Sequence, residues 1–188
     1  MSVVRAIVAA AVIAVVSALL APAGTHAQGS VDASTRAYAQ ACLAQHGLTD
    51  AEPYLRVRRF GDNAATAALL LGLIQRGEKS ATFSTPALYA GQRDRTPVAG
   101  DVVVITDFAG RPGAVVRTTS VNILPFNGIT TAETRHEGPA VRSLEAWRRV
   151  HWAFFTRELA PLGQQPSETL PVTIERFELL CADAGAGP

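Results

Sequence analysis

The order and periodicity of the chain predict an α+β domain built on a small antiparallel sheet or barrel with helices at its flanks. Two observations carry this. The strand-like segments are short and β-branched, and they do not alternate with helices as a doubly wound α/β fold requires. Three stretches with helical spacing, each opened by a capping side chain, fall with those strands in the order helix, helix, strand, hairpin, helices, strand.

The first residues stand apart from the domain. Arg5 carries one positive charge, Ala6 to Leu20 is an apolar run, and Thr25-His26-Ala27 follows Pro22 and Gly24 as a small-x-small cleavage site. This reads as a secretory signal peptide over residues 1–27. The run is shorter than the roughly 20 residues a membrane-spanning helix needs, which leaves a retained anchor as the alternative. The expected location is secreted or periplasmic, with no membrane association once the signal is removed. Residues 28–53 then form an N-terminal helical extension, residues 54–181 one domain, and residues 182–188 a disordered tail.

Residues 32–46 read as a helix that Asp32 or Ser34 can cap, with Gly47 placed for a left-handed residue at its end. Tyr54 to Phe60 is an extended segment with Arg56 and Arg58 on one side and Leu55 and Val57 on the other. Together with Arg59 these form a short basic patch. Such a patch is either a solvated strand face or a contact for an anionic ligand.

Gly61-Asp62-Asn63 offers a cap for an apolar helix over Ala64 to Arg76, which Gly77 ends. The segment that leaves this helix, Gly77-Glu78-Lys79-Ser80-Ala81-Thr82, enters a strand. Lys79 is the only lysine, the other sixteen basic residues being arginine. An arginine stays charged, whereas a lysine ammonium is a compact charge that burial can neutralise, so it can act as base, nucleophile or grip for a small anion. The plain alternative is a surface lysine just beyond a helix C-terminus, where positive charge is favourable. Simple alternation places Lys79 on the face of Ala81, and Ser80 on that of Thr82.

Residues 85–99 read as a polar, Pro- and Gly-punctuated loop that can wall a cleft. Val102 to Thr106 and Gly113 to Ile123 form two antiparallel strands joined by the turn Asp107-Phe108-Ala109-Gly110. A short helix starts after Thr130 and stops at Gly138-Pro139. Ser143 caps the longest amphipathic helix, Leu144 to Leu159, whose stripe of Leu144, Trp147, His151, Phe154 and Phe155 is core, with His151 a histidine at the core edge. Val172 to Leu180 forms the last strand.

Composition excludes some functions and leaves others. Without Arg5, sixteen basic side chains face sixteen acidic ones, so nucleic acid would be held by a local patch rather than by a global field. Cys42 and Cys181, near opposite ends of the mature chain, are either a disulfide or two buried thiols. An oxidising compartment and an even count favour the disulfide. Neither the cysteines nor His26, His46, His136 and His151 have metal-ligand spacing, so no metal is expected.

Phe60-Gly61-Asp62, Gly77-x-Lys79-x-x-Thr82, Gly100-Asp101, Gly110-Arg111-Pro112, Arg117-Thr118-Thr119, Pro125-Phe126, Glu137-Gly138, Ser143-Leu144-x-x-Trp147-Arg148, His151-x-x-Phe154-Phe155 and Glu175-Arg176-Phe177 follow in the order and near the spacing of an ASCH domain. The resemblance covers residues 54–180 and is closest in kind to bacterial stand-alone ASCH proteins. It implies a small PUA-like antiparallel β-barrel with flanking helices, and a cleft beside the barrel that takes RNA or a modified nucleoside.

The resemblance also implies chemistry. One branch of the wider family removes the acetyl group of N4-acetylcytidine with a lysine, a threonine and a glutamate. The first two map onto Lys79 and Thr82, and Glu137 stands for the third, in Glu137-Gly138-Pro139-Ala140 where relatives read Glu-Gly-Glu-Gly. Thr82 would be the nucleophile, Lys79 its base, and Glu137 the group that orients the lysine or protonates the leaving amine. Another stand-alone member resembles a ribonuclease, for which Lys79 would stabilise charge on phosphate. Expected ligand contacts are Arg56, Arg58, Ser80, Tyr89, Arg117, Ser143 and His151, with Tyr89 able to stack a base. No cofactor is implied. The competing reading is a non-catalytic ligand- or partner-binding module of the cell envelope.

Overall fold

A computed structural model describes residues 31–48, 54–90 and 95–182. The expected signal peptide, the tail beyond Ala182 and loop residues 91–94 lie outside the described residues. The elements follow in the order α1 (Ala33–Gln45), β1 (Leu55–Arg59), α2 (Ala64–Gln75), β2 (Ala81–Ser84), β3 (Val102–Thr106), β4 (Pro112–Pro125), α3 (Thr131–Thr134), α4 (Leu144–Leu159) and β5 (Pro171–Ala182). Short 3-10 turns link several of them.

Local chemistry sets the helix ends. Asp32, rather than Ser34, caps α1 by accepting from the Thr35 amide at 2.8 Å. Asn63 caps α2 through the Thr66 amide at 2.9 Å, and Ser143 caps α4 through the Ala146 amide at 3.2 Å. Each cap satisfies one of the amides that a helix start leaves without an intrahelical partner.

The five strands form one sheet in the order β1-β3-β4-β5-β2. It is α+β with flanking helices, as expected, but it departs from the expected antiparallel barrel in two ways. The sheet is open, and β1 runs parallel to β3 while the other three pairings are antiparallel. The parallel pair arises because α2, β2 and the loop after it all lie between β1 and β3. A crossover of that length returns the chain in the same direction, which a tight hairpin cannot do.

Alternation along the strands then distributes the core. Val102, Val104 and Val115 face α1 with Ala39, Cys42 and Leu43. Their neighbours Val103, Ile105, Ala114 and Val116 face the other way, onto Leu71 and Ile74 of α2, with Phe177 beside them. At the far end, α4 sets Trp147, Phe155 and Leu159 against Phe83, Phe126 and Ile174. Trp147 is fully buried, as its place on the helical stripe predicts. A disulfide between Cys42 and Cys181 ties α1 to β5. No helix among the described residues is long and apolar enough to cross a membrane.

Gly61, between β1 and α2, has a φ of +89°, and a Cβ there would lie 2.7 Å from the Ala67 backbone nitrogen. An L side chain is strained in that backbone region and cannot be accommodated by a side-chain shift. Gly61→Ala is expected to destabilise the protein by about 1–3 kcal/mol, measured as a lowered midpoint in urea with an unchanged slope.

Candidate functional site

The site begins where α2 ends. Gly77, at φ +69°, turns the chain out of the helix, and the amides of Glu78 and Lys79 both donate to the Leu73 carbonyl, at 2.8 and 3.1 Å. The next residue is fixed from two sides. The Ser80 amide donates to the His136 carbonyl at 2.9 Å, and the Phe177 amide donates to the Ser80 carbonyl at 2.9 Å. Lys79 is thereby aimed inward, and it is buried, with 5% of its surface exposed.

Glu137 meets it from the segment between α3 and α4. A capping box of Thr130 and Glu133 starts α3. Beyond it, the Glu137 amide donates to the Thr134 carbonyl at 2.9 Å. Arg142 Nε donates to the Glu137 carbonyl at 2.8 Å. The Lys79 ammonium donates to Glu137 Oε2 in a short, buried ion pair. The other carboxylate oxygen, Oε1, lies 3.4 Å from His151 Nε2.

His151 comes from the second turn of α4. Its Nδ1 is 3.1 Å from the Trp147 carbonyl oxygen, and its ring stacks on Trp147 with centroids 4.4 Å apart. Phe83 meets the same ring edge-on at 5.1 Å. Lysine, carboxylate and histidine thus form a cluster walled by aromatic side chains. Burial pushes the Glu137 carboxyl up, but the Lys79 charge and the hydrogen bond from His151 outweigh it and hold the pKa at about 2. At neutral pH Glu137 is an anion bridging two basic groups.

Thr82 stands apart from this cluster. It is half-buried on β2, and alternation turns it away from Phe83, the residue that touches His151. No hydrogen bond joins it to Lys79 or Glu137 among the described residues. Its partner across the strand pair is Glu175 of β5. Glu175 is itself buried and accepts from Thr118 Oγ1 at 2.5 Å.

The remaining expected contacts separate into two groups. Ser80 Oγ pairs with His136 Nδ1 at 3.0 Å. Tyr89 is held against Ser84 through their hydroxyls at 2.9 Å, with the Arg58 guanidinium 5.8 Å from its ring centre. These line the face of β2 that Thr82 occupies, or its entry. Arg56, Arg117 and Ser143 are engaged elsewhere. Arg56 is buried rather than on a solvated face and pairs with Asp101 at 3.2 Å, because β1 lies against β3 and brings it over the start of that strand. Arg117 pairs at the surface with Glu178, and Ser143 is the helix cap.

Sequence reasoning quoted Glu175 and Asp101 within motifs without giving either a role. Both are buried acids, and no signal in the sequence marked that burial, because the residues that enclose them come from segments distant in sequence. The one grouping with metal-ligating geometry among the described residues is Cys42, His46 and Cys181. Its two sulfurs are already joined to each other.

The profile of the ASCH domain family matches residues 56–181. A search of curated proteins found no match. Among solved structures, the ASCH domain from Lactobacillus crispatus JV V101 is similar at 25% identity and a TM-score of 0.71, over 77% of this chain and 92% of that one. A protein from Enterococcus faecalis V583, assigned to the DUF984 family, is similar at 29% identity and a TM-score of 0.67, over 79% of this chain and 94% of that one. With the profile spanning β1 to β5 and the fold shared over nearly the whole of both structures, the chain belongs to the ASCH domain family.

Proposed function

We propose that this ASCH domain binds RNA or a modified nucleoside beside the Lys79–Glu137 pair. The observation that carries the reading is the burial of the only lysine against a carboxylate and a histidine drawn from segments distant in sequence. A buried ion pair of this kind returns little stability compared with apolar residues of the same volume, so its presence supports a role in recognition rather than in stability. An ammonium fixed in a low-dielectric setting is a strong contact for a carbonyl or phosphoryl oxygen. The exported location proposed from the first 27 residues fits a disulfide-bonded domain.

Hydrolysis is the second reading, and it rests on Thr82, half-buried on the strand that follows Lys79. In that reading water is added across the amide of N4-acetylcytidine, giving cytidine and acetate. The test incubates the purified protein with short RNAs and with N4-acetylcytidine, following binding by calorimetry and products by chromatography. Saturable binding is expected, weakened at least tenfold in a folded Lys79→Met variant. Turnover, if the second reading holds, disappears in Thr82→Val while binding persists. Absence of any retained ligand overturns both readings.

A further inference from the structure

A second cluster of chemistry-bearing side chains lies where α1 covers the strands, and the Lys79 site does not use it. Cys42 and His46 fall one helical turn apart at the end of α1, on the same side of the helix. Cys181 reaches them from the end of β5. One ring nitrogen of His46 and the two sulfurs all lie within 4.8 Å of one another.

The surroundings of the histidine are those of a metal ligand. Between β4 and β5, Val115 pairs with Cys181 and Val116 with Leu179, so Leu180 is an extra residue in β5. This bulge brings Leu180 and Cys181 together against the part of the core that α1 covers. The Leu180 carbonyl oxygen then lies 2.8 Å from His46 Nε2. A carbonyl only accepts, so Nε2 carries the proton and, in the neutral ring, Nδ1 keeps its lone pair. Ligating histidines are commonly oriented in this way, with one ring nitrogen donating to a backbone carbonyl and the other left for the metal. Cys42 is buried, Cys181 half-buried and His46 exposed, which opens the cluster to solvent on the histidine side. A depression of about 190 Å³ lined by Tyr38, Ala41 and Gln45 adjoins the two sulfurs.

We propose that the disulfide is one of two states of a redox-dependent metal site, and that in the reduced state Cys42, His46 and Cys181 bind Zn²⁺, with water as the fourth ligand. A dithiol reductant passes two electrons and two protons to the disulfide and closes to a disulfide itself, and Cys42 and Cys181 become thiols. Zn²⁺ then takes both sulfurs as thiolates, their protons passing to solvent, and the neutral imidazole as the third ligand. Tetrahedral bonds to sulfur and nitrogen set the ligand atoms about 3.5–3.8 Å apart. The two cysteine Cα atoms are 6.0 Å apart, and rotation about the Cα–Cβ bonds reaches that spacing without moving the backbone. In either state α1 stays tied to β5, so the metal takes over when reducing conditions break the covalent link. Spacing along the chain does not announce the set, because 139 residues separate Cys42 from Cys181.

The test titrates Zn²⁺ into the purified protein, oxidised and after reduction with a phosphine, in wild type and in His46→Ala, which leaves both cysteines in place. Reduced wild type is expected to bind one equivalent, and the oxidised protein to lack that site. Reduced His46→Ala is expected to bind more weakly by on the order of tenfold or more. Co²⁺ in place of Zn²⁺ reports the ligands directly, through thiolate charge-transfer absorption and the intense visible bands of a tetrahedral site. Zn²⁺ should also raise the urea midpoint of reduced wild type and leave that of Cys42→Ser with Cys181→Ser unchanged, which separates binding by the folded chain from capture by loose thiols. Reduced wild type that binds no equivalent, or that gains no stability from Zn²⁺, overturns the proposal. Equal binding by reduced His46→Ala removes the histidine from the site, and equal binding by the oxidised protein places the metal elsewhere; either result also overturns it.

Discussion

Glu137→Gln is expected to lower the stability of the folded protein by about 3–5 kcal/mol, the range for breaking a buried ion pair by removing one partner. The Lys79 ammonium would stay buried without its counter-charge, and His151 would lose the anion facing Nε2. In thermal denaturation this is a fall of roughly 6–20 °C for a domain of this size. The pH dependence identifies the cause. The folded-state pKa of Glu137 is depressed from 4.5 to about 2. Its contribution is therefore complete above about pH 4.5 and is lost as pH falls toward 2. The stability gap between wild type and Glu137→Gln should be widest near neutrality and narrow steadily through that acid window. A gap that stays constant from pH 7 to pH 3 would mean the loss comes from packing and not from charge.

Removing the disulfide is the second large effect. Cys42 and Cys181 are separated by 139 residues, and a link across so long a loop restricts the unfolded chain strongly. The chain-entropy treatment gives about 5 kcal/mol for a loop of that order, and native disulfides removed by mutation typically cost about 2–5 kcal/mol. Cys42→Ser with Cys181→Ser should lower the urea midpoint by an amount matching this range. A reducing agent should do the same to wild type and leave the double variant unaffected. The fold itself should survive, since α1 still buries Ala39 and Leu43 against Val102, Val104 and Val115.

What could be read from the sequence was what local chemistry decides. Asn63 and Ser143 announce helix starts because an amide three residues on needs an acceptor, and Gly47 and Gly77 mark ends because the chain turns left-handed there. Trp147 and His151 were placed in the core by helical spacing alone, and both are buried. The parallel pairing of β1 with β3 was not legible, because periodicity tells which side of a strand is buried and nothing about its neighbour. Arg56 follows from that. Its alternation with Leu55 and Val57 suggested a wet face, whereas β3 and Asp101 enclose it.

The site was legible in the same uneven way. A single lysine among arginines pointed to Lys79 from composition, and the family resemblance supplied Glu137 as its companion. The meeting of the two with His151 depends on how the segment after α3 lies across the end of α2, which no motif spacing encodes. Glu175 was quoted only as part of a motif. Its burial comes from Thr82 on a strand far away in sequence and from Thr118 on a third, so only the assembled sheet reveals it.

An open sheet has two borders at which another chain could add a strand and begin a growing stack. Here one border is β2, only four residues long. The other is β1, where three of five residues are arginine and one of these carries its charge inward. An incoming strand would find too short a template on the first side and a row of cations on the second. The domain should remain dispersed at high concentration without needing a closed barrel to hide its edges.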